Sequence, residues 1–558
     1  MKKRTLLTCG LAAALFAGCS SDDKLTVDDG TVPNGTGYVS LRIALPSTSG
    51  GMRADNQAND QHDKGDTDEY KVNDVTLVFF NEAQEVLSSH TLTTSDFQTP
   101  SPSENGITTQ YKIPVQTVSE NTKFVLVLLN KPDDVKTDVA TFEQLNKAVA
   151  LSTDELTGDS QDDFFMSNTT LASATDATTQ TLVPVITYKT TSEAESNARV
   201  VYVERAVGKI EMSHTGSAWD TSVAGVWQYT IPSTDATYPN DIIKLTKWGI
   251  DFTNTQTYPV RVYKGAWNDV ANSTTGTSTK RMLSTTEYTV YPTGTMRRTY
   301  WAEDPNYNVE DASSQLNKLD DGTLTTTFAT TIGYCPENTF DVTNMTTQNT
   351  TRVLLKATYV PKNIPASDLG DGTWYLLGNS TTPKSAKSVI AAINEVLGSE
   401  VVKKIQNFTA GVTASTAFVK ANFLKDSDVE ISDSELSTIK SKIKSITTYA
   451  QGTCYYVVKI QHFGSYYTPW GNDTNAPAVS GDKFYNYTSA DTENDNNYLG
   501  RYGVVRNNWY QLELKTISAP GTPTIPVGTT DSDDTTQYYI SANIKIMDWA
   551  VRKQSVNL

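Results

Sequence analysis

Side chains spaced for chemistry are scarce in this chain of 558 residues. Two neighbouring carboxylates can divide acid and base work at a glycosidic bond. Asp162-Asp163 and Asp533-Asp534 are such neighbours, but both sit in turn-like polar segments. Histidine occurs only at positions 62, 90, 214 and 462, too sparsely for a metal cluster or a proton relay. The run Asp491–Asn497 has enough carboxylates and amides to chelate calcium, yet it lacks the spacing and the glycine of an EF-hand and reads as solvated loop. Tyr466-Tyr467-Thr468-Pro469-Trp470 offers ring faces to a sugar, though such runs more often plug a loop onto a sheet. Walker A, HExxH, GxSxG and GxGxxG patterns do not occur. The residues point to no enzyme, no cofactor and no metal site. With Lys+Arg 46 against Asp+Glu 63 the formal net charge is −17. That balance disfavours a nucleic-acid partner, because phosphate binders carry a basic stripe.

The N-terminus carries a chemical address. Lys2-Lys3-Arg4 precedes an apolar run from Thr5 to Ala17, too short to cross a bilayer as a helix, and small residues follow. This is the pattern of a secretory signal. Cys19, directly after Ala17-Gly18, resembles the lipobox cysteine of bacterial lipoproteins, with Phe16 where leucine is usual. Ser20-Ser21-Asp22-Asp23-Lys24 resembles the surface-export tag of Bacteroidota lipoproteins. The expectation is acylation at Cys19 and export to the outer membrane. Cys9 leaves with the signal; Cys335 and Cys454 remain and could form one disulfide, although nothing in the sequence brings them together.

The elements around these sites read as mainly β. Short apolar runs are separated by Thr, Ser, Asn and Asp, and Tyr (28) outnumbers Phe (16), which favours strands and turns. Residues 20–37 read as a polar tether. From Tyr38 to Leu45 the chain alternates, with Val39, Leu41, Ile43 and Leu45 on one face, and Pro46 ends the strand. The following Ser47–Asn56 segment has no periodicity and reads as an exposed loop of the kind proteases cut. Strands are expected over 72–80, 123–130, 197–210, 245–254, 258–263, 351–360, 453–462 and 508–517. Helices are expected over 139–150, 385–397 and 434–446, the last two amphipathic and packed against a sheet. The Pro/Gly/Thr/Asp-rich stretch from Ala519 to Thr536 reads as a linker. Behind it Tyr538–Met547 alternates again, with Ile540, Ala542, Ile544 and Ile546 on one face. Asp548-Trp549 breaks the pattern, and a strand-like run closes the chain.

Several strings, taken in order, resemble one family. Val201–Lys209 (VYVERAVGK), Arg298–Tyr307 (RTYWAEDPNY), Tyr334–Thr339 (YCPENT), Val504–Tyr510 (VVRNNWY) and the end from Ile544 to Leu558 are similar to segments of the fimbrillins of the Bacteroidales type V pilus, Mfa-type members in particular. The resemblance covers nearly the whole mature chain. It implies two tandem transthyretin-like β-sandwich domains with a few short helices, plus a C-terminal donor strand. The implied divisions are 1–18 as signal peptide, 19–53 as lipidated propeptide with the first strand, and 54–196 as N-terminal domain. Residues 197–520 would form the C-terminal domain, and 521–558 the linker and donor strand.

It further implies a major subunit of a surface fimbria, cut by an Arg-specific protease between Arg53 and Ala54. Arg42 is the other upstream candidate, but it lies inside the first strand. Loss of the strand with Val39, Leu41, Ile43 and Leu45 would open a groove. The donor row Ile540, Ala542, Ile544 and Ile546 of another copy would fill it, with Trp549 as anchor of the return stretch. Implied partners are further copies of the chain, pilus anchor and tip subunits, the protease, and host or bacterial surface receptors serving adhesion and biofilm formation. Two rival readings stand beside this one: an anchor or tip subunit of the same pilus, or a monomeric glycan-binding surface lipoprotein using the aromatic loops.

Overall fold

The computed structural model describes residues 35–45, 65–101, 109–269, 282–292, 294–462, 499–500, 502–531, 540–547 and 552–554. The chain is mostly strand with few helices, as the composition suggests.

The first sheet gathers β1 (Thr36–Leu45), β2 (Asp74–Phe80), β3 (Val86–Thr93), β4 (Gln98–Ser101), β5 (Thr109–Ser119), β6 (Phe124–Leu129), β7 (Met166–Asn168), β10 (Val183–Pro184) and β11 (Arg199–Arg205). Its order is β3-β2-β6-β7-β11-β1-β5-β4, with β10 also on β6. Local chemistry sets the hairpins. Between β2 and β3 the Asn81 side chain accepts from the backbone N–H of Ala83 and Glu85 at 2.9 Å each, and Gln84 takes a φ of 59°. β2 and β6 are buried almost throughout, which suits their unbroken Val, Leu and Phe content.

A sandwich follows. One face is β20 (Ile332–Pro336), β12 (Val207–His214), β28 (Trp509–Ile517), β29 (Ile540–Met547) and β30 (Arg552–Gln554), in that order. The other is β13 (Trp219–Asp220), β14 (Trp227–Thr230), β15 (Ile242–Asp251), β21 (Arg352–Val360) and β27 (Thr453–Lys459). Ile210, Leu512 and Leu514 from the first face meet Ile243, Val353, Leu355 and Val458 from the second in one core. A smaller sheet joins β17 (Leu283–Thr289), β18 (Thr295–Thr299), β8 (Leu171–Ala172) and β9 (Thr179–Gln180). β16 (Thr253–Asn254) pairs with β19 (Leu316–Asn317).

Residues 361–452 form an insertion between the neighbouring strands β21 and β27. It holds β22 (Trp374–Leu377), β24 (Gly411–Ala414) and β26 (Ser445–Tyr449), the pair β23 (Lys404–Ile405) and β25 (Phe423–Leu424), and the helices Ala386–Leu397 and Asp433–Lys442. Its core is its own: Val389, Ile393, Phe418, Phe423, Ile439 and Ile446. Both expected amphipathic helices fall here. The second ends at Lys442, and Ile446 belongs to β26 instead. The insertion is fastened to the sandwich by Trp374, which stacks on Tyr449 at 3.8 Å and lies against Tyr359.

Three local expectations differ from the fold. The 139–150 helix is only Phe142–Leu145, because Val149 exchanges backbone hydrogen bonds with Thr257. The 258–263 stretch makes no strand; only Val262 bridges, to Glu303, while the Arg261 side chain turns inward. The 197–210 run is two strands that part at Ala206, one in each sheet. Cys335 and Cys454 are free thiols, both buried.

Candidate assembly site

Strand β1 is an interior strand of the first sheet. One edge pairs antiparallel with β5, from Thr36 opposite Ser119 to Leu45 opposite Thr109. The other pairs parallel with β11, from Leu41 opposite Arg199 to Ala44 opposite Tyr202. The alternation dictates what points inward: Val39, Leu41, Ile43 and Leu45 are at most 2% exposed and sit in the first core. At about 1.5–3 kcal/mol per large aliphatic, this row contributes roughly 6–12 kcal/mol before the entropy of ordering the strand. Arg42 lies on the exposed side. Cys19, Arg53 and Ala54 lie outside the described residues, and so do Trp549, Tyr466–Trp470, Asp491–Asn497 and Asp533-Asp534.

The C-terminal row does not hang free. β29 docks antiparallel on β28 of the chain's own sandwich, with Ile540, Ala542, Ile544 and Ile546 opposite Ile517, Leu514, Leu512 and Tyr510. β30 folds back on its outer edge. The reason is ordinary: without β29 the edge of β28 would be left unpaired.

The expected linker is also tied down along most of its length. The Tyr456 hydroxyl donates to the Ala519 carbonyl and the Tyr449 hydroxyl to the Gly521 carbonyl, both at 3.0 Å. Tyr455 and Thr522 exchange backbone bonds of 2.8 and 2.9 Å. Arg352 Nη2 donates to the Pro526 carbonyl at 2.5 Å. Beyond it, Thr347 N–H donates to the Asp531 carbonyl at 2.9 Å. Residues 519–531 are therefore a strap along β21, β27 and the 346–349 turn.

Four of the family-like strings, far apart in sequence, meet in a buried polar knot where the first sheet joins the sandwich. Arg261 grips Glu204 through Nε and Nη2 at 2.7 and 2.9 Å, and also donates to the carbonyls of Thr299 and Arg506. Arg506 Nε donates to Glu337 at 3.0 Å, and Arg298 Nη2 to the Asn507 carbonyl at 3.0 Å. Glu69 accepts from the Tyr334 hydroxyl at 2.5 Å and pairs with Lys209 at 2.5 Å. Burial alone would raise the Glu69 carboxyl; the Lys209 and Arg205 charges outweigh it and hold the group below its ordinary range. Burial pushes Asp304 well above the carboxylate range, although it accepts from Thr339 N–H at 2.6 Å and Asn254 Nδ2 at 2.7 Å. Charged side chains survive burial only when paired like this. The sequence singled out these strings by resemblance; their convergence was not visible there.

The residues named as possible chemistry have structural duties. Asp162 pairs with Lys71 at 2.9 Å, and Asp163 accepts from Asn73. His462 lies buried between the Tyr510 hydroxyl and the Tyr300 carbonyl. Among the described residues there is no group of three or more His, Cys, Asp or Glu able to hold a metal ion.

Two family models match the chain. Residues 38–208 match the major fimbrial subunit protein (FimA), and residues 479–555 match the C-terminal part of the major fimbrial subunit protein type IV, fimbrillin. Similar solved structures include a fimbrilin (FimA) from Porphyromonas gingivalis W83, at 12% identity and a TM-score of 0.37, covering 93% of this chain and 99% of that one. The tip fimbrial protein Mfa3 of Porphyromonas gingivalis, with a C-terminal truncation, is similar at 10% identity and a TM-score of 0.31, covering 91% and 99%. A fimbrial assembly protein from Parabacteroides distasonis ATCC 8503 is similar at 9% identity and a TM-score of 0.26, covering 58% and 82%. No curated protein matches the chain.

Proposed function

Because residues 38–208 and 479–555 match fimbrial subunit family models, we propose that this chain is a fimbrial subunit that builds the stalk of a surface fimbria by protease-triggered strand exchange. The observation that carries the reading is the place of β1. A single short strand fills the middle of the first sheet, with both edges paired and its aliphatic row buried. A cut between Arg53 and Ala54 would leave that strand joined to the lipid at Cys19 and separate from the rest of the chain. Its departure would expose two strand edges and an apolar groove at once, a template for another strand. The C-terminal row of a second copy has matching alternation and would enter, backbone bonds supplying affinity and the side chains register. Head-to-tail exchange does not close on itself, so it propagates.

The test is Arg53→Ala. The variant should accumulate as a full-length, lipidated monomer, while the wild type, once trimmed, gives a ladder on native gels and begins at Ala54 by N-terminal sequencing. Normal fibres from Arg53→Ala would overturn Arg53 as the switch. Deletion of residues 537–558 should stop the ladder with the body still folded, and an intact ladder would refute the donor assignment.

A further inference from the structure

Behind strand β11 the structure holds a cavity of about 260 Å³ that the assembly reading leaves without a role. Strand alternation makes it: Val201 and Val203 enter the first core, and Val200 and Tyr202 face the other way. The β17–β18 turn, with Thr289 and Tyr291, forms a further wall, and Thr169 and Gln180 complete the polar lining. Arg199 is the charged group of the site. Its guanidinium lies 3.7 Å from the centroid of the Tyr291 ring. Its Nε is buried without a hydrogen-bond partner, and Arg199 makes no ion pair among the described residues.

Arg199 is half-buried and has no carboxylate partner among the described residues, unlike the buried Arg261 and Arg506. A guanidinium fixed by stacking on an aromatic ring keeps its planar fork in one orientation, ready for a carboxylate. An unsatisfied donor is costly, and an acceptor arriving at the guanidinium relieves that cost. The neutral partners, two threonine hydroxyls and a glutamine amide, suit the hydroxyls of a sugar. The volume is below that of a typical drug-sized pocket and fits one small ring.

We propose that this cavity binds a carboxylate-bearing sugar residue, a uronic or sialic acid. Arg199 takes the carboxylate, and Thr169, Gln180 and Thr289 take the hydroxyls. The proposal stands whether or not the chain polymerises by strand exchange, because the cavity is complete within one copy.

The experiment is saturation-transfer NMR with calorimetry on the full chain, using glucuronate, N-acetylneuraminate, glucose and succinate. At least one acidic sugar should bind with a Kd of about 1 mM, and glucose and succinate at least about tenfold more weakly. Arg199→Gln should abolish the signal with thermal unfolding unchanged, and Tyr291→Ala should weaken it several-fold. Should Arg199→Gln fail to fold, Tyr291→Ala and Gln180→Ala carry the test. The proposal is overturned if neither acid gives transfer at about 10 mM, if succinate competes as well as the sugars, or if the variants bind undiminished.

Discussion

Glu204 faces Arg261 at 2.7 Å and Arg298 at 3.9 Å, and all three side chains are at most 3% exposed. Removing one partner strands the other charge in a dry interior. Arg261→Met should therefore cost about 3–5 kcal/mol, read as a fall in the urea midpoint, whereas an exposed pair such as Lys404–Asp428 should cost under about 1 kcal/mol. A second residue-scale prediction concerns acid. Ser432 caps the helix Asp433–Lys442, and its N–H and hydroxyl, with Lys425, hold the Glu435 carboxyl down to about 2. The group's folded value is depressed, so its contribution is present above the ordinary carboxylate value of 4.5 and is lost as pH falls through about 2. Ser432→Ala should cost about 1 kcal/mol at neutral pH and less at about pH 2, measured by urea titration at both. None of these partners is legible from residue types. Glu204 and Arg261 are visible as charges in strand-like strings, but their burial depends on packing between segments far apart in the chain.

At the scale of elements, alternation was the informative signal. The alternating runs expected from Tyr38 and from Tyr538 correspond to the strands Thr36–Leu45 and Ile540–Met547, the residues just before Ile540 lying outside the described ones. Their neighbours were not legible, because parallel pairing of β1 with β11 involves residues too distant for any local rule. The 258–263 stretch misleads for a physical reason: a strand pattern counts Val260 and Val262 and cannot know that Arg261 is drawn into Glu204. The strap misleads likewise, since Pro, Gly and Thr suit a linker and equally suit an extended segment bonded to a sheet. The element-level prediction uses β1 itself. A synthetic peptide of residues 36–45 added to trimmed protein should occupy the vacated place and suppress the ladder on native gels; unchanged laddering at saturating peptide would argue against a shared groove.

The whole molecule adds a limit on reach. The strap fixes Asp531 to the body, so residues 532–539 alone separate that point from β29, the proposed donor, at Ile540. At ~3.3–3.6 Å per residue the row begins within about 30 Å of Asp531. Lengthening this segment by ten Gly/Ser residues should leave the ladder intact and loosen subunit spacing in electron micrographs; preserved spacing would show that other contacts set it. Gly521→Ala should act at the strap's other end, because a methyl there collides with the Tyr455 carbonyl, and a loss of about 1–3 kcal/mol is expected in thermal unfolding.

The central pair of the sandwich has one more consequence. β12 lies parallel to β28, with Lys209 opposite Trp509 and His214 opposite Leu514, so the middle of that sheet waits for residues made three hundred positions later. Closing so large a loop is slow, because entropy is spent before the contact rewards it. This half of the molecule can set only once residues 509–514 have left the ribosome, so its first strand stays without its central neighbour through most of that synthesis.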